Sequence, residues 1–308
     1  WQHIIIKEHS MFRYTFGGDT FLYVEVSEEG MSLEAFFQAM AICDKLRERN
    51  IKGITEICPA NASYMVAFDP DILHYNKVLD ICKELEKEVQ STNAEIMTRL
   101  IEFPVFYQDP YTHETLMRFR DNHQVRAEDS KFDPNTTDIE YASKINGYDS
   151  VESYIKAHSE NPWFVSMIGF VAGLPWLYQL VERQKQIEVP KYLKARIDTP
   201  KLTIGHGGCF GCIYAVRGGG GYQMMGITPA PVWDPAQKLE YFKDSMVFLK
   251  PGDIIKFKPI DEATYNKAVK EVEDGTFTLK SANVKFSLQE WQKDPNNYNK
   301  KLLEVFNG

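Results

Sequence analysis

Residues 19–26 (DTFLYVEV) alternate apolar and polar positions as a half-buried strand does. Residues 32–49 (SLEAFFQAMAICDKLRER) then switch to apolar positions at helical spacing behind a serine cap. Gly53 opens two β-rich runs, ITEICPANASYMVAFDP, joined across Pro59 to Ser63, and that pattern predicts a hairpin. Residues 71–89 return to the helical period with Asp71 near the cap, and RLIEFPVFY from Arg99 predicts a further strand. The order β-α-β-β-α-β predicts a ferredoxin-like domain over residues 12–98, with the polar STNAE stretch at 91–95 as its linker.

Beyond it the pattern changes. Residues 108–150 are polar, charge-dense and poor in periodicity, which predicts an insertion that acts as a lid or a partner-binding arm. A short helix over 150–158 precedes the apolar WFVSMIGFVAGLPWL. The segment from Thr199 to Pro229 then holds nine glycines in thirty-one residues. Glycine admits close backbone approach and positive φ, so this segment reads either as a site built from main chain or as the hairpin turns of a barrel. VFLKPGDIIKFKPI at 247–260 carries a Pro-Gly-Asp turn and predicts a closing hairpin. The expected architecture is α+β: a mainly β barrel over 99–262 following the N-terminal domain, and an extension over 263–308 that runs helix, strand, helix.

Composition narrows the function. A formal net charge of −8 and a pI near 5.5, with no basic stripe, exclude the usual nucleic-acid binder. The longest apolar stretch, Phe164 to Leu180, is broken by Gly169, Gly173 and Pro175, and the N-terminus has no signal-peptide pattern, so no membrane partner and a cytoplasmic location are expected. Five scattered cysteines do not form a disulfide framework. Cys209 and Cys212 make a CxxC three residues after His206, a metal or redox possibility that lacks a second ligand pair. The alternative is small residues packed in a glycine turn.

The ordered motifs GGDTFLYVEV, GITEICPANASYMVAFDP, FPVFY, AHS at 157–159, GFVAGLPWL, ARIDTP, IYAVRGGGGYQMMGITP, VWDP and KPGDIIKFKPI resemble those of one carboxyltransferase family. That family includes the first allophanate hydrolase subunit, a 5-oxoprolinase subunit and the first half of the urea carboxylase transferase domain. The resemblance runs nearly end to end. It implies a ferredoxin-like domain followed by a cyclophilin-like β-barrel, and a homologous second subunit, with the small-molecule site between or next to the two barrels. It also implies chemistry on amides, ureas or lactams. That chemistry is either transfer of a carboxyl group from carboxybiotin, supplied by a biotin carboxylase and a biotin carrier protein, or ATP-dependent lactam opening as in 5-oxoprolinase, with ATP handled on partner subunits. A non-catalytic regulator of a histidine kinase is the remaining alternative within the same family.

The chain departs from the family pattern at several positions. Ala172 replaces a proline, Phe210 to Ala215 replace a QTGIYP element, Ile227 replaces an arginine, and Asn61-Ala62 replace Tyr-Arg. Each lost arginine removes a bidentate donor for a carboxylate or amide oxygen. Among the groups that remain, His158 matches the family's histidine and is the candidate base or donor, its alternative being a structural helix-end histidine. Arg196 matches a Pro-Arg element and would clamp a carboxylate, or else form a surface ion pair. Gly218, Gly219, Gly220 and Gly221 would present N–H groups to an oxyanion, or else form a tight barrel turn. Gln223 would read an amide edge, and Tyr214 completes the substrate-binding candidates. His206 is a possible substitute polar group inside the glycine segment, while Asp234 and Asp253 read as turn residues.

Overall fold

A computed structural model describes residues 12–27, 30–89, 95–120 and 136–306. The chain forms two compact units. One holds the described residues up to Ile96 together with Lys285–Lys293, and the other holds Met97–Val284 with the described residues from Asp294.

The first unit is a four-stranded antiparallel sheet in the order β1 (Arg13–Gly17), β2 (Phe21–Glu25), β4 (Ser63–Phe68), β3 (Ile54–Ala60). Helices α1 (Leu33–Arg49) and α2 (Tyr75–Val89) pack against it. Period-2 alternation buries Leu22 and Val24 of β2, which meet Ile42, Cys43 and Leu46 of α1 and Val78, Cys82 and Leu85 of α2. The α1 boundaries follow from its caps. The Ser32 hydroxyl accepts from Ala35 N at 3.1 Å, and Asn50, at φ 42°, closes the C-terminus by donating to Arg47 O.

The predicted sixth element goes elsewhere. The strand after α2, β5 (Glu95–Tyr107), belongs to another sheet, and the edge place beside β2 is filled by β1, which precedes it in sequence. Helix α2 also starts four residues later than its pattern suggests. The carboxylate and carbonyl of Asp69 hold Asp71 N and Leu73 N in a turn before it.

The second unit is built on a ring of strands in the order β12 (Gln223–Ile227), β9 (Thr203–Gly207), β10 (Phe210–Ile213), β7 (Pro175–Gln179), β6 (Trp163–Ile168), β13 (Ile254–Pro259), β5. β12 pairs back onto β5 at Gly226↔Tyr107 and Ile227↔Phe106, which closes it. A Cβ at Gly226 would lie 2.5 Å from Phe106 O, so only glycine permits that seam. β14 (Ser281–Ser287) flanks β5, and a small ribbon pairs β8 (Arg196–Thr199) with β11 (Gly218–Gly220). Ile101, Phe103 and Val105 of β5 alternate into a core shared with Val165, Leu177, Ile255 and Phe257. Asp109 caps α3 (Pro110–Arg118) and Thr137 forms a capping box with α4 (Asp138–Ile145). Both helices pack on β12 and α5 (Val151–Glu160) packs on β13.

The 108–150 segment therefore carries two capped helices within its described part. The rest of it, 121–135, and most of the proposed linker, 91–94, lie outside the described residues. The closing hairpin at 247–260 does not form. Val247 makes only an isolated bridge to Trp233, and β13 pairs in parallel with β5 and antiparallel with β6. Asp253 is more than a turn residue: it accepts from Lys250 N at 2.8 Å and, 5 % exposed at its side chain, takes both arms of Arg99. The C-terminal segment runs through α6 (Glu262–Glu273), β14, α7 (Leu288–Lys293) and α8 (Pro295–Leu303).

Candidate functional site

Strand β9, TIGHG, decides where the chemistry lies, because successive residues of a strand point to opposite faces. Gly205 and Gly207 fall on one face and leave it bare. A Cβ at Gly205 would meet the Tyr214 ring at 2.8 Å, and one at Gly207 would meet the Tyr222 ring at 2.3 Å. One at Gly220 would meet the Tyr214 hydroxyl at 2.4 Å. The glycine density thus makes room for two tyrosine rings. Within this segment positive φ among the glycines is confined to Gly208.

The two rings border a cavity of about 130 Å³ that is also lined by Leu174, Trp176, Lys191 and Gly221. β10 and β7 bring Cys212 opposite Trp176, which places both on the wall. Phe170, 67 % exposed at φ 75°, stands at the same cavity. A bulky residue at positive φ is held there against its own preference.

The polar side chains on this wall are one indole, two phenols and one lysine. Trp176 Nε1 and the Tyr222 hydroxyl are buried with no partner. The Tyr214 oxygen accepts Tyr222 N at 3.3 Å, and Lys191 Nζ lies 5.4 Å from the Tyr222 ring centroid. Burial raises the pKa of both tyrosines, against a lowering by nearby Arg196 at Tyr214, so both stay protonated. Arg196, 1 % exposed, sits one layer back. It donates from Nη2 to Tyr222 O at 2.8 Å and from Nε to Thr199 Oγ1 at 3.3 Å, and it lies 4.6 Å over the Tyr192 ring, while Nη1 has no partner.

A second cavity of about 180 Å³ is lined by Asp109, Thr112, His113, Asp138 and Met224 among others. Asp138 accepts from the Tyr192 hydroxyl at 2.5 Å and from Met224 N at 2.7 Å, so it anchors the ring beneath Arg196. Burial raises the pKa of Asp109, against three hydrogen bonds from the first turn of α3.

The other sequence-predicted residues lie away from the first cavity. His206 is on the opposite face of β9 from Gly205 and Gly207, where its Nε2–H donates to Ile187 O at 3.1 Å. Its neighbour His158 is fully buried in the last turn of α5. Tyr107 Oη lies 2.9 Å from His158 Nδ1, the Phe257 ring stacks 5.1 Å away, and the His206 ring is 6.0 Å away. Burial pushes both imidazoles down, His206 to about 4. Gln223 pairs with His206 across β12 and β9, and its amide donates to Pro190 O at 2.6 Å. Gly218 and Gly220 pair with β8 in a ribbon, so the four-glycine run is a strand running into the cavity at Gly221 and not a tight turn.

Of the predicted residues, Tyr214 and Gly221 are on the wall, Arg196 is behind it, and His158, His206 and Gln223 line neither cavity. Trp176, Tyr222 and Lys191 carry no sequence signal of a binding role, although the first two stand inside GFVAGLPWL and GGGGYQMM. All five cysteines are free, Cys212 is pushed up by burial to about 12, and no cluster able to hold a metal occurs among the described residues. This fits the packing alternative for the CxxC.

A model of the carboxyltransferase domain, subdomain C and D, matches residues 12–242. The chain belongs to this carboxyltransferase family. The domain is 25% identical over 281 residues to the urea amidolyase of Saccharomyces cerevisiae, an alignment that covers 90% of this chain and 15% of that protein. It is 26% identical over 230 residues to a 5-oxoprolinase subunit of Bacillus subtilis, covering 72% of this chain and 82% of that one. The crystal structure of the Kluyveromyces lactis urea carboxylase superposes with a TM-score of 0.81 at 21% identity, over 98% of this chain and 26% of that one. It shows the same mixed α/β fold. The carboxyltransferase domain thus spans about 15% of the length of the yeast relative.

Proposed function

We propose that this carboxyltransferase domain is one subunit or domain of a biotin-dependent carboxylase that moves a carboxyl group to the nitrogen of a small amide, urea or lactam. The observation that carries this reading is a cavity lined by Trp176, Tyr214, Tyr222 and Lys191 within the region matched by the carboxyltransferase model. The relatives named above are enzymes or enzyme subunits, and nothing favours the kinase-regulator alternative. The names ferredoxin-like and cyclophilin-like, and a cytoplasmic setting, go with this reading. No helix among the described residues is long and apolar enough to cross a membrane.

The residues present fit a carboxyl group. Two partnerless buried donors, Trp176 Nε1 and the Tyr222 hydroxyl, and the cation of Arg196 behind them suit an acceptor-only oxygen pair. When bound, carboxybiotin on a carrier protein would supply the activated carboxyl group. Phe170, Leu174 and Trp176 would exclude water, which strengthens the donors' hydrogen bonds. Transfer to nitrogen also needs a proton acceptor. On the wall lined by Tyr214, Tyr222, Trp176 and Lys191, the Trp176 indole has no acceptor atom and burial keeps both phenols protonated. We assign the base to a homologous second subunit or to the substrate complex, which makes a second transferase half and a separate biotin carboxylase and carrier the expected partners.

The experiment is reconstitution with the homologous subunit and a carboxylated biotin carrier. Loss of carboxyl from the carrier is followed with labelled bicarbonate across a set of amides, ureas and lactams. Substrate-dependent transfer that requires this chain is the expected result. If the chain isolates without a homologous subunit or carrier, and the mixture transfers nothing, the reading fails.

A further inference from the structure

We infer that Asn146–Gly147 is a covalent modification site: the fold holds this pair intact, and its deamidation, once it occurs, unfastens helix α4 from the backbone at Glu188. The inference stands apart from the transferase reading and needs neither a partner nor turnover.

Local structure calls for each residue separately. Helix α4 ends in a left-handed cap, in which Tyr148 N donates to Ser143 O at 3.0 Å and Gly147 N donates to Lys144 O at 3.1 Å. Gly147 stands at φ 73°, a conformation that favours glycine. At the same turn the Asn146 side chain forms a clamp. Its Nδ2 donates to Ala142 O at 2.8 Å and to Glu188 O at 3.0 Å, and its Oδ1 accepts from Glu188 N at 3.0 Å. The carboxamide thus pairs with both backbone groups of Glu188, as a neighbouring strand would. Glu188 lies between Ile187 and Val189, which are buried. Ile187 O accepts from His206, and Val189 pairs with Gly208, so the clamp joins the end of α4 to a segment already bound to β9.

Together the two demands place glycine directly after asparagine. In that order the asparagine carboxamide is most open to attack by the next backbone nitrogen, because glycine has no side chain to obstruct it. Gly147 N gives up its proton and bonds to Asn146 Cγ, the Cγ–Nδ2 bond breaks, and Nδ2 leaves as ammonia. Water then opens the five-membered imide at either carbonyl and leaves aspartate or isoaspartate. Asn146 is half-buried and Gly147 is exposed, so solvent reaches the pair. The other Asn-Gly pair, 307–308, lies outside the described residues.

Native geometry opposes the first step twice. The attacking nitrogen is engaged by Lys144 O, and the leaving atom, Nδ2, carries two of the three clamp bonds. The product cannot restore them. A carboxylate has no hydrogen to donate, and it would face the Ala142 and Glu188 carbonyl oxygens that now accept from Nδ2. The change therefore runs one way, slow in the folded chain and weakening the fold once made.

The test ages the full chain in mildly alkaline buffer, folded and in unfolding guanidinium chloride, and follows Asn146 by mass spectrometry of the tryptic peptide that begins after Lys144. The folded chain is expected to convert at least about tenfold more slowly, as the loss of two ordinary hydrogen bonds implies. Asn146→Asp, which stands for the product, should lower Tm and speed hydrogen exchange at the Tyr148 amide. Its deficit against the parent should shrink below about pH 4, where the carboxyl regains a proton to donate, whereas that of Asn146→Ala should not. The rate comparison needs no variant, so it decides even if Asn146→Asp does not fold. Equal rates in the folded and unfolded chain overturn the inference. So does a folded Asn146→Asp with the parent's Tm and exchange, or one whose deficit persists unchanged in acid.

Discussion

Gly207→Ala isolates the packing role of the glycine segment. The φ of Gly207 is not positive, so an alanine there has no backbone penalty and its effect is steric. The added methyl would stand 2.3, 2.5 and 2.8 Å from three carbons of the Tyr222 ring. Ordinary carbon contacts lie at about 3.5–4.0 Å, so the ring must retreat by about 1 Å. It has little room, since Trp176 packs edge-on at 5.7 Å on the same cavity. Overpacking of this kind costs about 1–3 kcal/mol, and a rigid ring places the expected cost near about 3 kcal/mol. In a domain of this size that lowers Tm by about 6–12 °C. Gly218→Ala is the matched control, because its Cβ meets nothing within 4 Å, and it should be neutral. Urea unfolding of both variants, and of Gly207→Ala combined with Tyr222→Leu, measures the effect. The truncated ring should restore most of the loss. If Gly207→Ala lies within about 0.5 kcal/mol of the parent, or the second change rescues nothing, the glycines are not spacers for the tyrosine rings.

Three further outcomes are expected. Arg99→Met should cost about 3 kcal/mol by urea unfolding, because it strands the buried Asp253 carboxylate, and adding Asp253→Asn should recover part of it. Between about pH 6.5 and about 4, stability should fall as pH is lowered. His206 is held neutral in the fold down to about 4, whereas the unfolded chain takes the proton near pH 6.5, so its contribution is fully present above that value and lost below it. The slope is up to about 1.4 kcal/mol per pH unit from His206, with His158 adding in the same direction, and His206→Gln should remove the first share. Finally, the native protein should consume thiol reagent slowly at pH 8 at all five cysteines, with Cys43, Cys82 and Cys212 pushed up to about 12 by burial. Rapid labelling of Cys212 before unfolding would contradict this.

What could be read from the sequence was local. Ser32 and the helical spacing behind it announce α1, and both strands of the 54–68 hairpin follow from their β-rich runs. The destination of a strand is not local. RLIEFPVFY reads as a strand under any partner, and only the β12 and β13 pairings show that β5 belongs to the ring. The same distinction explains the site. The glycine density of TIGHG placed His206 among the site candidates, and only the pairings of β9 show that its side chain lies on the face opposite Gly205 and Gly207, away from the cavity. Trp176 and Tyr222 carried no such signal. They look like core aromatics in the sequence, and their chemistry comes from partners they lack, which no local pattern encodes.

The guanidinium of Arg196 is buried and is held in place by Tyr222 O, Thr199 and the Tyr192 ring. The last of these is in turn fixed by Asp138 at 2.5 Å. A guanidinium fixed in this way has its orientation set before a ligand arrives, so engaging a carboxylate would cost little side-chain entropy. Tyr192→Phe removes the hydroxyl that Asp138 accepts, and it should cost about 1.5–3 kcal/mol by urea unfolding. An unchanged stability would show that Arg196 keeps its place without the Asp138–Tyr192 hydrogen bond.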